Sequence, residues 1–144
     1  MSVNPPPVSL HFRQRHRLTH AREFDAVYAG KVRKSRGPLT LFTAPNASAW
    51  PRLGLAVSTR VGGAVVRNRW KRMVREAFRL QQHTLARGPG GECYDLIVSV
   101  RAAPGQPVWT LRACSGALAE LAAEADREWR RRARREGAAQ TGQE

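Results

Sequence analysis

Near the middle of the chain stands the segment Arg67-Asn68-Arg69-Trp70-Lys71-Arg72-Met73-Val74-Arg75-Glu76. Half of its residues are cationic, yet its apolar residues keep the spacing of an α-helix. At about 100° per residue, one side of that helix collects Val66, Trp70, Met73, Val74, Ala77 and Phe78. The other side collects Arg67, Asn68, Lys71, Arg72, Arg75 and Arg79. The segment therefore predicts a helix from about Ala64 to Gln82 that packs by one stripe and exposes a dense cationic surface.

This cationic surface suits phosphate groups. The planar guanidinium of arginine can hold two oxygens at once, and evenly spaced arginines can follow a phosphate backbone. The alternative is a solvated basic face, but a merely solvated helix usually mixes both signs in i,i+4 pairs. Here the only acid within the predicted helix is Glu76. We therefore interpret the surface as a binding site for a polyanion.

The composition also favours a nucleic-acid partner. The 144 residues fit one domain, and a net charge of +14 with a pI near 11.6 exceeds what solubility requires. No apolar run is long enough to cross a bilayer, and residues 1–7 lack the apolar core of a secretory signal. We expect no membrane partner, a cytoplasmic location, and free thiols at Cys93 and Cys114, which lack CxxC spacing.

Composition divides the chain into three predicted parts. They are a disordered arm, a domain, and a basic, partly disordered tail, over residues 1–10, 11–128 and 129–144. The domain opens with a basic arm that contains Arg13, Arg15 and Arg17. Its last helix is predicted to begin near Thr110, to pass Glu124 and to reach Arg135 at most, with fraying from Gly137 onward.

Alternation of apolar residues predicts a sheet with two unlike faces. The strands are Leu39–Ala44, Arg52–Ser58 and Tyr94–Val100, and Lys31–Gly37 is interpreted as a turn-rich link. The predicted core face carries Leu39, Leu41, Leu53, Leu55, Val57, Leu96, Val98 and Val100. The opposite face carries Thr40, Phe42, Gly54, Ala56, Ser58, Asp95, Ile97 and Ser99. A face with such small side chains either admits a flat ligand or is simply solvated.

A first helix is predicted from about Ala21 to Ala29, with Thr19 or His20 as its cap and Gly30 at its end. One of its faces carries Phe24, Val27 and Tyr28. These residues form an ordinary core stripe, or their rings flank a surface on which bases stack.

The sequence lacks the usual signs of catalytic chemistry. The 11 acidic residues are scattered, whereas a metal-dependent nuclease usually needs clustered carboxylates. His16 and His20 have i,i+4 spacing but no third ligand nearby, so we expect no metal site. No nucleophile motif or nucleotide-binding loop is present. We therefore expect the polypeptide to supply a binding surface and no catalytic residue.

The longest recognisable motif reads Ser58-Thr59-Arg60-Val61-Gly62-Gly63-Ala64-Val65-Val66-Arg67-Asn68-Arg69-Trp70-Lys71-Arg72-Met73-Val74-Arg75-Glu76-Ala77-Phe78-Arg79. It closely resembles the signature of the bacterial ribonuclease P protein subunit. Its flanks agree with that family at Arg17-Leu18, Glu23-Phe24, Val27-Tyr28, Arg52–Ser58 and Asp95–Arg101. The resemblance covers roughly residues 11 to 125.

The resemblance implies a fold that periodicity alone could not reveal. The family is an α/β two-layer sandwich similar to ribosomal protein S5 domain 2. It has a four-stranded sheet, three main helices and a left-handed βαβ crossover, which departs from the usual right-handed rule.

The resemblance also implies a function. Proteins of this family partner a large catalytic RNA, and the complex cuts the 5′ leader from precursor tRNA. The RNA holds the metal ions, so we expect Mg²⁺ in the RNA-containing holoenzyme and no cofactor bound by the protein alone. Carried over, the surface for the catalytic RNA comprises Arg60, Arg67, Asn68, Arg69, Lys71, Arg72 and Arg75. The cleft for the single-stranded leader comprises Phe24, Tyr28, Phe42, Ile97 and Ser99.

Two rival functions are considered. A ribosomal or ribosome-assembly protein could use the same RNA-binding fold, and the RNA that copurifies with the chain would distinguish it. A DNA-binding helix fits less well, because Asn68 is the only base-reading residue on the arginine-rich face. No dimerisation element is evident either.

Overall fold

The computed structural model describes residues 11–141, and the side chains of residues 11–137. Within residues 11–141, three helices and four strands follow one another. Their order is α1 (Ala21–Ala29), β1 (Val32–Arg36), β2 (Leu39–Pro45), β3 (Arg52–Val57), α2 (Ala64–Gln81), β4 (Tyr94–Val100) and α3 (Leu111–Thr141). Two 3₁₀ turns lie at Gln14–His16 and Thr59–Val61.

The four strands form one mixed sheet in the order β1-β2-β4-β3. Strand β2 pairs antiparallel with both β1 and β4, whereas β3 and β4 are parallel neighbours. Helix α2 makes the crossover between these two parallel strands. The α+β fold with three helices and a four-stranded sheet is thus confirmed, and the left-handed sense of the crossover stays a prediction.

The main core lies between one face of the sheet and helices α2 and α3. The sheet contributes Leu39, Leu41, Leu53, Leu96, Val98 and Val100, as predicted from their alternation. Helix α2 contributes Trp70, Val74, Ala77 and Phe78, and α3 contributes Leu118 and Leu121. Because the whole apolar stripe of α2 packs into this core, its cationic side remains at the surface.

Helix α1 packs on the opposite face of the sheet. Val27 of α1 joins Leu18 and Ile97 in a second, smaller core, with Phe24 and Phe42 packed beside it. The sheet is therefore covered on both faces where α1 packs. A strict two-layer description of the fold leaves this helix out.

An ion-pair network fixes the start of α1 to the sheet. The Glu23 carboxylate accepts hydrogen bonds from the backbone N–H of His20 (3.0 Å) and Thr19 (3.3 Å). Arg52 of β3 donates to Glu23 at 3.0 Å, and to both oxygens of Asp95 of β4 at 2.7 Å. The backbone amide of His20 is the main cause that holds the pKa of Glu23 below its ordinary value.

Two segments differ from the predictions. Lys31–Gly37 is not a link, because Val32–Arg36 forms β1, in which Val32 alone is fully buried. Residues 129–141 are helical, so α3 extends past the predicted limit at Arg135 and includes most of the predicted tail. The fraying predicted from Gly137 is wrong as far as Thr141, because these residues continue α3. The predicted arm of residues 1–10, and residues 142–144 of the predicted frayed end, lie outside the described residues.

The basic arm packs against the domain. Phe12 meets Phe78 of α2 edge-on at 5.6 Å, and His16 is buried with its Nδ1 accepting the backbone N–H of Arg13 at 2.9 Å. Arg17 forms a parallel bridge with Leu53 of β3. The predicted free thiols are confirmed, since Cys93 and Cys114 are both buried and unbonded.

Candidate nucleic-acid interface

The surface of α2 carries a dense group of cationic side chains. Asn68, Arg69 and Arg72 are exposed there, and Arg67, Lys71 and Arg75 are half-buried. We name these six residues the α2 ridge. Because Trp70 and Val74 between them are buried, the helix cannot rotate to withdraw the ridge from solvent.

The charges of the α2 ridge are not neutralised by any acid among the described side chains. The only acid of the helix, Glu76, is engaged by Arg79, whose Nη2 lies 2.6 Å from the carboxylate. That hydrogen bond lowers the pKa of Glu76. Within residues 11–137, no carboxylate forms an ion pair with a cation of the ridge. The ridge is therefore available to an external anion.

Arg17 of the basic arm joins one end of the ridge. Together with Phe12 and Thr19, it lines a shallow pocket into which Lys71 and Arg75 also project. The pKa of Arg75 is lowered by burial and, to a smaller extent, by the charge of Arg17. Three cations thus meet at a pocket with no acid among its lining residues, which is the arrangement expected of a phosphate site.

Arg67 carries a further sign of an incomplete site. Its Nε is buried and has no hydrogen-bond acceptor in the described part of the chain. A buried donor without a partner is unfavourable by about 1–3 kcal/mol. An acceptor from a bound molecule would relieve this cost if it could reach Nε.

The remaining arginines of the basic arm are placed differently. Arg15 lies over the ring of Trp50, with its guanidinium carbon 4.7 Å from the ring centroid, and Arg13 is exposed. Arg17 also lies over a ring, with its guanidinium carbon 5.0 Å from the Phe12 centroid. The arm therefore extends the cationic surface of α2 through Arg17, which lines the same pocket as Lys71 and Arg75, whereas Arg15 packs on Trp50.

Three of the predicted cleft residues come together between α1 and the sheet. Tyr28 of α1 meets Phe42 of β2 edge-on at 4.8 Å, and Phe24 lies 6.4 Å from Tyr28. Phe24 rests on Gly54 of β3, where any larger residue would displace the ring. Tyr28 is the most exposed of the three at 38%. These rings form one apolar wall beside the sheet.

The other two predicted cleft residues lie deeper. Ile97 has no exposed surface, because Val27 and Leu18 cover it, so it supports the cleft from beneath. Ser99 follows on the same face of β4 and is 8% exposed. The cleft is thus lined by aromatic rings and floored by β4.

Beyond Ser99 the cleft opens into a groove with a cationic end. Arg60 and Arg101 line this groove together with Ala56 and Ser58 of the small-residue face. Ala56 pairs with Ser99 in the register of β3 and β4, which makes the groove continuous with the cleft floor. Arg60, predicted as part of the surface for the catalytic RNA, therefore stands apart from the α2 ridge.

Sequence reasoning missed two cations of the cleft. Arg33 of β1 lies over the Phe42 ring, with its guanidinium carbon 5.9 Å from the centroid. It was overlooked because β1 carries too few apolar residues to show a strand period. Arg101 could have been found, since it follows directly on β4 and so must lie at the same sheet end as Ser99.

The described residues offer no evident metal centre. Among residues 11–141, no three His, Cys, Asp or Glu side chains gather into a group that could hold a metal ion. In the same part of the chain, no helix combines the length and apolar character that a membrane span requires.

A family model and a curated relative both match ribonuclease P. The family model described as Ribonuclease P matches residues 12–118. A ribonuclease P protein component from Methylococcus capsulatus is 48% identical over 75 residues, which are 51% of this chain and 59% of that protein. This alignment thus spans less than two thirds of the length of that relative.

Solved structures agree in fold. The ribonuclease P protein of Staphylococcus aureus superposes with a TM-score of 0.61 and 26% identity, over 76% of this chain and 94% of the other. The ribonuclease P protein of Thermotoga maritima superposes with a TM-score of 0.58 and 24% identity, over 73% of this chain and 93% of the other.

Proposed function

The chain belongs to the ribonuclease P protein family, and from this premise we propose that it is the protein subunit of a ribonucleoprotein that removes the 5′ leader of precursor tRNA. The observation that carries the proposal is the α2 ridge, whose cations have no acidic partner in the described residues. Such a surface binds RNA through its phosphates, so its affinity for RNA falls steeply as the salt concentration rises.

The α2 ridge is the proposed site for the catalytic RNA. Its residues sit on one rigid helix and continue into Arg17, so they present a fixed array of cations to a folded RNA. Because the helix is already formed, binding orders the side chains but not the backbone. Asn68 adds an amide that can donate to and accept from a base or a sugar.

The cleft is the proposed site for the single-stranded leader. Its rings at Phe24, Tyr28 and Phe42 offer stacking surfaces, and Arg33, Arg60 and Arg101 supply charge for the backbone. Binding through stacking and backbone charge tolerates many sequences, which a leader site for many tRNA precursors requires.

In the proposed function, the RNA carries out the hydrolysis. The protein would bind and position the two RNAs, and its cations would reduce their mutual repulsion. Mg²⁺ would bind the RNA of the holoenzyme and supply the Lewis acid for leader cleavage. The protein would thereby lower the Mg²⁺ concentration at which the holoenzyme works.

Reconstitution tests this proposal directly. The purified protein is mixed with a bacterial ribonuclease P RNA, and leader cleavage of a precursor tRNA is followed at low Mg²⁺ with and without the protein. We expect cleavage by the mixture and none by the protein alone. Cleavage by the protein alone, or no stimulation of the RNA, would contradict the proposal.

Recovery of bound RNA tests the proposal against its rival. A tagged protein is purified from cells, and the RNA that copurifies is sequenced. A single RNA of the ribonuclease P type is expected. Enrichment of ribosomal RNA instead would favour a role on the ribosome.

A further inference from the structure

The end of α3 is firmly attached to the domain, although it lies beyond residue 118, where the family match stops. The indole N–H of Trp129 donates to Thr43 Oγ1 at 2.9 Å, and its ring packs on Gly30 at the end of α1. Arg132 donates to the carbonyl oxygens of Gly30 and Lys31.

A second set of contacts holds the neighbouring turn of α3. Asp126 accepts a hydrogen bond from the Tyr94 hydroxyl at 2.8 Å, and Arg130 donates to Asp126 at 2.8 Å. Arg130 also reaches the carbonyl oxygen of Arg87 at 2.8 Å. The part of α3 from Asp126 to Arg132 is therefore fixed to the domain on two sides.

The outward side of this part of α3 is cationic. At about 100° per residue, positions 127, 131, 134 and 135 fall within an arc of about 100°. Their side chains are Arg127, Arg131, Arg134 and Arg135, and all four are exposed. Trp129 and Ala125 point to the opposite, packed side. We name these four arginines the α3 stripe.

Most of the charge of the α3 stripe is uncompensated. Arg131 pairs with Glu128, but Arg127, Arg134 and Arg135 have no ion pair within residues 11–137. Further back on the same side of α3, Glu120 and Glu124 are engaged by Arg36. Glu136 lies on the other side of the helix.

We propose that the α3 stripe is a second RNA-binding surface, which takes the phosphate backbone of a double-helical RNA segment. It runs for about 12 Å along the helix, which is long enough to face at least two successive phosphates of one strand. It carries no aromatic side chain, since Trp129 is turned inward, so it lacks the rings that sites for single-stranded RNA use to stack unpaired bases.

This proposal rests on the proposed function for its RNA partners. Both the catalytic RNA and the body of precursor tRNA contain double-helical segments, and the phosphate chemistry is the same in each. The experiment therefore measures binding to each RNA separately.

The test compares two double variants that remove equal charge from exposed helical arginines. Arg127→Gln with Arg134→Gln changes the α3 stripe, and Arg22→Gln with Arg112→Gln is the matched control on α1 and the start of α3. Circular dichroism checks that both fold. Affinities are measured from 50 to about 400 mM salt for bacterial ribonuclease P RNA, and for precursor tRNA added to the reconstituted holoenzyme.

The stripe variant should bind one of the two RNAs severalfold more weakly near 100 mM salt, with a salt slope reduced by about 1–2, and the control should behave as wild type. The RNA whose affinity changes is the one that the α3 stripe contacts. If the stripe variant matches the control in both arms while wild type still binds, the α3 stripe proposal is wrong and the proposed function stands. If wild type itself binds neither RNA, both proposals fail.

Discussion

Phe24 of α1 lies so close to Gly54 of β3 that a Cβ atom at Gly54 would stand 2.7 Å from Cζ of the ring. The absence of a side chain at position 54 is what allows α1 to settle onto the sheet and the aromatic wall of the cleft to form. The position of a single glycine thus links the packing of α1 with the shape of the proposed leader site.

Substitution of this glycine should affect stability and binding together. Gly54→Ala forces Phe24 away from the sheet, and we expect a loss of about 1–3 kcal/mol in the free energy of unfolding. Precursor tRNA should bind more weakly, with mature tRNA unaffected. Gly116→Ala is the control, because a Cβ there meets nothing within 4 Å and alanine favours the helix. Equal stability of the Gly54→Ala and wild-type proteins in urea unfolding would refute the close approach.

The α2 ridge should govern the salt dependence of assembly. Replacing Arg67 and Arg69 by Ala removes two ridge cations without changing the core, so folding should be little affected. The affinity for ribonuclease P RNA should fall, and its salt slope should decrease by about 2. Filter binding over a range of salt concentrations measures both. A slope equal to that of wild type would exclude these residues as phosphate contacts.

The aromatic wall should contribute to the affinity for precursor tRNA but not to the affinity for mature tRNA. Phe42→Leu keeps apolar bulk beside Tyr28 but removes a ring on which a base can stack. Loss of one stacked base is worth about 1–3 kcal/mol, so precursor tRNA should bind the holoenzyme at least fivefold more weakly. Mature tRNA, which has no leader, should bind as before. If both lose affinity equally, the cleft does not hold the leader.

The network at the start of α1 predicts a pH-dependent contribution to stability. The pKa of Glu23 in the folded protein lies below its ordinary value of 4.5, chiefly because of the hydrogen bond from the His20 amide. The ionised carboxylate therefore stabilises the fold above pH 4.5, and this contribution is lost as the pH falls through the depressed pKa. Glu23→Gln keeps an oxygen that can accept from the His20 amide but removes the charge that pairs with Arg52, so it should cost up to about 1 kcal/mol near pH 7. The difference from wild type should disappear at the acid end of a pH series of urea unfolding curves, and a constant difference would contradict this assignment.

Because Trp129 attaches α3 to the domain, its substitution should weaken RNA binding although no charge is removed. Trp129→Ala removes the contact with Gly30 and the hydrogen bond to Thr43, so the last turns of α3 should detach and the melting temperature should fall. Every arginine of the α3 stripe remains, yet RNA binding should weaken because the stripe is no longer held in place. Hydrogen exchange over residues 127–137 measures the detachment. Unchanged protection there would show that Trp129 does not fix the helix.

The elements with a clear apolar period were predictable from the sequence. Helix α2 and strands β2, β3 and β4 lie within one residue of their predicted ends, because each has a face that must be buried. The same alternation placed Phe42, Ile97 and Ser99 on one face of the sheet. It could not reveal that Ile97 is fully covered, since the docking of α1 is a tertiary contact.

The elements without such a period were missed for physical reasons. Strand β1 has a single buried residue, Val32, and owes its position to pairing with β2. The length of α3 depends on Trp129 and Arg132, whose partners at Thr43 and Gly30 are about a hundred residues away. Tertiary contacts over that separation leave no local pattern in the sequence.

The two edge strands of the sheet have a consequence for the solubility of the isolated protein. On one border, β1 is only five residues long and carries Arg33, Lys34 and Arg36. On the other, the chain itself occupies part of β3 through the bridge between Arg17 and Leu53. An incoming strand from another copy would meet charge repulsion on one side and existing polypeptide on the other. The isolated protein is thereby protected from edge-to-edge aggregation.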